Sequence, residues 1–144
     1  MKYLKFFLIF LIFIKKYFFN MNVNNFKTFN VIMLNGLNEV PSNTSSAVGL
    51  AIFMYDLNNH VLSGVISFAD VIPTASHIHK GAVGVDGVVI FPLATVVPII
   101  SPIYYISPAL DSNQESDLLS NLYYVNIHSV LYPGGELRGQ LIVK

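Results

Sequence analysis

The stretch "AVGLAIFMYDLNNHVLSGVISF", Ala47 to Phe68, decides the fold. It holds two alternating runs around a polar turn. Val48, Leu50, Ile52 and Met54 fall on one side of the first run; Ala47, Gly49, Ala51, Phe53 and Tyr55 fall on the other. Period two marks a strand, because successive side chains of a pleated chain point to opposite faces. "DLNNH" supplies turn residues, whose short polar side chains hydrogen-bond their own backbone. In the second run Leu62, Ile66 and Phe68 share a face opposite Ser63 and Ser67. The spacing predicts an antiparallel hairpin. Both faces of its first strand are largely apolar, which predicts cover on both sides.

Outward from this hairpin the chain continues as strands and turns. Upstream, "FNVIML" leads into the turn-rich "NGLNEVPS". Downstream, "TASHIH" and "GVVIFPL" flank the loop "KGAVGVDG", in which Asp86-Gly87 is a turn dipeptide. Leu93 to Pro108 is apolar but carries Pro98, Pro102 and Pro108. Proline donates no ladder hydrogen bond, so an extended, partly buried loop is expected there rather than a central strand. Ser112 and Glu115 are spaced as a capping box, which predicts one short helix near 113–121, docked by Leu118, Leu119 and Leu122. "YYVNIHS" and "GELRGQLIV" form a closing hairpin, with "YPGG" as its tight turn. At least six short strands separated by turns make an all-β, antiparallel sandwich or barrel.

The N-terminus differs in kind. In "MKYLKFFLIFLIFIKKYFF", Lys2 and Lys5 precede nine apolar residues, Phe6 to Ile14, and Lys15 and Lys16 follow. Nine residues suit the apolar region of a secretory signal and fall short of the ~20 that span a bilayer. No small-x-small cleavage pattern follows Ile14. Residues 1–20 are therefore expected to be a signal peptide, the alternative being a retained hydrophobic segment. Residues 21–30 form an Asn-rich linker, and 31–144 the domain. The expected location is secreted or cell-surface, and a membrane is a partner only if the segment is retained. Past residue 20, four basic residues (Lys27, Lys80, Arg138 and Lys144) face eight acidic ones, a balance of −4. Nothing in this charge pattern attracts nucleic acid. The chain has no cysteine, so thiolate metal sites, Cys nucleophiles and disulfides are excluded.

The closing hairpin carries a polar face. Val125 and Ile127 point one way, and Tyr124, Asn126 and His128 the other. Leu137, Gly139 and Leu141 oppose Glu136, Arg138 and Gln140. Matching the apolar sides sets Asn126 against Arg138 and Tyr124 against Gln140, with His128 against Glu136. Ile78 is the natural core residue of "HIH", so His77 and His79 are expected on the outside of the sheet with His128. Three imidazoles there suit copper or zinc. They equally suit hydrogen bonds to loops that cross the sheet. No cofactor is otherwise expected. His60 sits in a turn and receives no role. Glu39 pairs with Arg138 or a histidine, or faces solvent. A carboxylate beside a histidine would raise its pKa. Asn43-Thr44-Ser45 is a glycosylation sequon, with Asn43 the candidate acceptor. "GAVGVDG" lacks the Gly-Lys-Ser/Thr ending of a phosphate loop.

Three blocks, "LNGLNEVP" (34–41), "ASHIHKGAVGVDG" (75–87) and "YYVNIHSVLYPGGELRGQL" (123–141), resemble the chordin-type (CHRD) domain family. The resemblance spans nearly all of the chain after the leader. It implies an extracellular, immunoglobulin-like or superoxide-dismutase-like β-domain without catalytic activity, a binding or structural module. Its partner would be an unknown extracellular protein or surface component. "HIH" also looks like the copper-binding pair of copper–zinc superoxide dismutases. The chain has four histidines and no cysteine, too few groups for a dismutase site. What remains is a metal candidate set of His77, His79 and His128, and a structural polar face of Glu39, Asn126, Glu136 and Arg138.

Overall fold

A computed structural model describes residues 25–144. The leader and the first residues of the linker lie outside the described residues. The elements are β1 (Phe26–Thr28), β2 (Ile32–Asn35), a 3₁₀ turn (Gly36–Asn38), β3 (Val48–Asp56), β4 (Val61–Ala69), β5 (Pro73–Lys80), β6 (Val88–Pro92), β7 (Ile103–Ala109), α1 (Ser112–Leu119), β8 (Tyr123–Ser129) and β9 (Leu137–Gln140). The strand order is β6-β5-β8-β9-β2-β3-β4-β7, with β1 beside β3. Every pairing is antiparallel. The sheet curls into a nearly closed barrel. Phe91 of β6 and Ile103 and Tyr105 of β7 come from its two ends, and all three belong to one core. Leu93 and Ile99, from the segment between those strands, are buried in the same core. Among the described residues the expected all-β barrel with one short helix is thus the observed fold.

The β3–β4 hairpin runs unbroken from Val48↔Ala69 to Asp56↔Val61. Its turn is closed by Asp56, whose carboxylate accepts from the Asn58 and Asn59 backbone N–H groups at 2.8 and 3.3 Å. His60 completes it in the left-handed region, φ 57°. Ala51, Phe53 and Tyr55 face the core, but Val48, Leu50 and Ile52 are about half exposed. Among the described residues the expected cover on both sides of this stretch is absent.

Three further differences have local causes. The Pro-rich segment does form a strand, β7, but at the end of the sheet path, where proline is tolerated. The linker yields β1, which extends the line of β2 along β3. The helix cap is Asp111, one residue before the expected Ser112. Its carboxylate accepts from Asn113 and Gln114 N–H, while Gln114 Oε1 accepts from Asp111 N–H. The helix lays Leu118 into the core and ties its Asp117 to Lys80 at 2.6 Å. No helix among the described residues is long and apolar enough to cross a membrane.

Candidate functional site

The closing hairpin pairs as the apolar match predicts: Tyr124↔Gln140, Asn126↔Arg138 and Ile127↔Leu137. On its other edge β8 pairs with β5, setting His79 beside Tyr124, His77 beside Asn126, and Ala75 beside His128. Ile78, Val125, Ile127 and Leu137 turn into the core. Their neighbours therefore form two polar rows on the outer face, His79–Tyr124–Gln140 and His77–Asn126–Arg138, with His128 alongside.

This face is outside the barrel but not in solvent. Arg138 is only 2% exposed, and Tyr124, Asn126, Glu136, Glu39 and His79 are also buried. Two segments lie over it. The first is the glycine-rich loop 81–87. Arg138 donates to the carbonyls of Ala82 and Val85 at 3.0 and 2.9 Å and reaches Asp86 at 3.4 Å. Gln140 donates to the Gly81 carbonyl at 2.9 Å, and Tyr124 OH accepts from Gly87 N–H at 3.1 Å. His79 Nδ1 lies 3.0 Å from the Gly87 carbonyl. Gly87 runs so close to Lys80 that a Cβ there would collide with the Lys80 carbonyl. The second is the segment after β2. Asn38 donates to the Arg138 carbonyl at 3.0 Å, and Asn43 Nδ2 to the Gly135 and Glu136 carbonyls at 3.2 Å each. Ser45 Oγ donates to Glu136.

Burial shapes the electrostatics. Arg138 stacks its guanidinium 3.6 Å from the centroid of the Tyr124 ring, which supports a cation shielded from water. Glu39 does not pair with it. Among the described residues its carboxylate takes one hydrogen bond, from Asn126 Nδ2 to Oε2 at 3.4 Å, and Oε1 has no partner. Burial pushes the Glu39 carboxyl up to about 7, against the pull of Arg138. Glu39 thus neither pairs with Arg138 or a histidine nor faces solvent.

The three histidines converge. Their ring centroids lie 5.1, 5.6 and 5.8 Å apart, and one nitrogen from each falls within 4.8 Å of the others. His79 also stacks on Tyr124, 5.0 Å between centroids. His128 Nδ1 is 3.1 Å from the Pro133 carbonyl, and His77 Nδ1 is 3.2 Å from His128 Nε2. Glu136 turns to Ser45 instead of to this cluster. The expected upward pKa shift is therefore reversed. Burial lowers both His77 and His128, and neighbouring imidazoles lower them further. His60 lies apart, bonded to Tyr55 OH and Glu115.

Sequence reasoning gathered the strand residues of this site but missed Asn38, Asn43, Ser45 and Asp86 as fasteners of the cover. The usable signal was the density of asparagine in "NGLNEVPSN". Such side chains bond backbone groups of passing segments as readily as their own.

The described residues form a cysteine-free, mostly β domain, a curled antiparallel barrel with a loop-covered polar face on one flank. The family model of the CHRD domain matches residues 31–141, and the chain belongs to that family. No curated protein and no solved structure matches it. The CHRD domain is not a known enzyme family.

Proposed function

We propose that this chain is an extracellular, non-catalytic binding module, and that it takes a side chain of a partner protein into the groove between its two covering segments. One observation carries this reading. The groove, about 280 Å³, is lined by apolar Leu37, Val40 and Val83 and by polar Glu39, Arg138 and Gln140. Two of those polar atoms, Glu39 Oε1 and Gln140 Oε1, are buried without a hydrogen-bond partner among the described residues. Buried acceptors are normally satisfied, so the groove suits a hydrogen-bond donor carried on an apolar stem. The loops are held by backbone and side-chain bonds, so the groove is preformed and little ordering is needed on binding.

The test is an NMR titration of the 25–144 domain with the N-acetyl methylamides of glutamine, lysine and leucine. Shifts at Leu37, Glu39 and Val83 with glutamine or lysine, weak with leucine and lost in Val83→Asp, support the reading. Equal response to leucine, or no response, overturns it. Location is tested separately, by N-terminal sequencing of protein recovered from the medium. A start between about Lys15 and Asn30 is expected for a cleaved signal; an intact N-terminus counts against cleavage.

A further inference from the structure

The histidine cluster does more than fasten a loop. A carbonyl oxygen only accepts, so the contacts to Gly87 and Pro133 place the protons of His79 and His128 on their Nδ1 atoms. Both Nε2 atoms then carry lone pairs. That of His79 is buried and has no hydrogen-bond partner among the described residues. That of His128 faces His77 Nδ1. A scaffold gains nothing from a buried lone pair that no group donates to. A metal ligand requires one.

We propose that His77, His79 and His128 bind a divalent transition-metal ion, zinc or copper(II), through Nε2 of His79, Nε2 of His128 and a ring nitrogen of His77. The donor set is three imidazoles, which suits these ions; calcium and magnesium take oxygen ligands. Three nitrogens bound tetrahedrally at zinc distances sit about 3.3 Å apart. The His77–His128 contact is already 3.2 Å. One ring nitrogen from each of the three lies within 4.8 Å of the others, so a set drawn from these rings closes by at most about 1.5 Å. His77 and His128 are only half buried, which leaves those rings room to turn and an approach for the ion. If His77 ligates through Nδ1, its proton moves to Nε2 and the ring stays neutral.

The surroundings are those of a built site. Metal-bound histidines commonly donate their second ring N–H to a carbonyl or carboxylate, which fixes the ring and raises its basicity. Gly87 and Pro133 supply such carbonyls from two separate loops. β5 supplies two ligands and β8 the third, so the ion would tie the glycine-rich loop and the last turn to adjacent strands. This assignment is independent of the groove reading, since none of the three histidines lines that groove.

The test uses the full-length protein, stripped with chelator and titrated calorimetrically with zinc chloride and, separately, copper(II) chloride. One ion per chain is expected, with a rise in Tm, because a ligand that binds only the folded state stabilises it. His77→Gln, His79→Gln and His128→Gln should each weaken binding by more than about 100-fold, beyond the loss usual for an outer-shell partner. His60→Gln should bind like the wild type. A cobalt(II) substitute should show tetrahedral d–d absorption in the wild type and lose it in the variants. If His79→Gln does not fold, the half-buried His128→Gln decides. Wild type taking up less than one equivalent overturns the site, as do histidine variants that bind like the wild type.

Discussion

Arg138 shows what a single residue does here. It is a buried charge whose partners are two backbone carbonyls, one aromatic face and an exposed aspartate. Lysine presents a point charge and lacks the planar fork. Arg138→Lys should therefore cost about 2–3 kcal/mol, roughly one charge-assisted hydrogen bond, read from urea unfolding. Glu39 and the histidines give opposite pH responses. The folded Glu39 carboxyl titrates near 7, above its ordinary 4.5. Its stabilising contribution is complete below the unfolded value and is lost as pH rises through 7, on the order of 3 kcal/mol. The folded His77 and His128 titrate below their ordinary 6.5. Their contribution is present above 6.5 and is lost as pH falls through the lower folded values. In chelator, Glu39→Gln should flatten the fall in stability between pH 4.5 and 7. His128→Gln should flatten the acid limb. If neither variant changes its limb, burial does not set these titrations. The face on which these residues stand was legible from period two. Their burial was not, because the segments that cover them are remote in sequence and their fit depends on the barrel's curl.

Elements were legible where pattern and register agreed. The closing hairpin could pair its apolar sides in one way, and Ile127 and Leu137 are opposite each other and fully buried. Ile127→Ala and Leu137→Ala should each cost about 2–5 kcal/mol, the range for large-to-small core changes. Exposed Ser67→Ala should stay within about 0.5 kcal/mol. Equal losses in thermal melts would contradict the assignment of faces. β7 was not legible, because a proline-bearing strand is possible only at a sheet margin and position in a sheet is not a local property. The helix start was misplaced by one residue because Asp111/Gln114 and Ser112/Glu115 both satisfy the same motif. Asp111→Ala should cost about 1 kcal/mol and Ser112→Ala much less; the reverse ranking would restore Ser112 as the cap.

The molecule as a whole has two interiors, an apolar one inside the barrel and a polar one between the sheet and its covering loops. Asn43 belongs to the second. Its Nδ2 serves two carbonyls, and a glycan on that nitrogen would leave it a single N–H. Asn43→Ala should thus destabilise the domain by about 1–3 kcal/mol whether or not the protein is glycosylated, and a melt on unglycosylated protein measures it. The glycine-rich loop points further. Apart from the 3.4 Å contact of Arg138 to the Asp86 carboxylate, Arg138 and Gln140 grip it by main-chain oxygens, and Gly87 brings its end against its beginning. The side chains of Ala82, Val83 and Val85 take no part in that grip, and Val83 is 71% exposed. The tip is therefore an exchangeable cassette on a fixed mount. Those three positions can diversify, by evolution or in a combinatorial library, without releasing the loop. Gly84, at φ +74°, and Gly87 keep the frame in which that diversity is displayed.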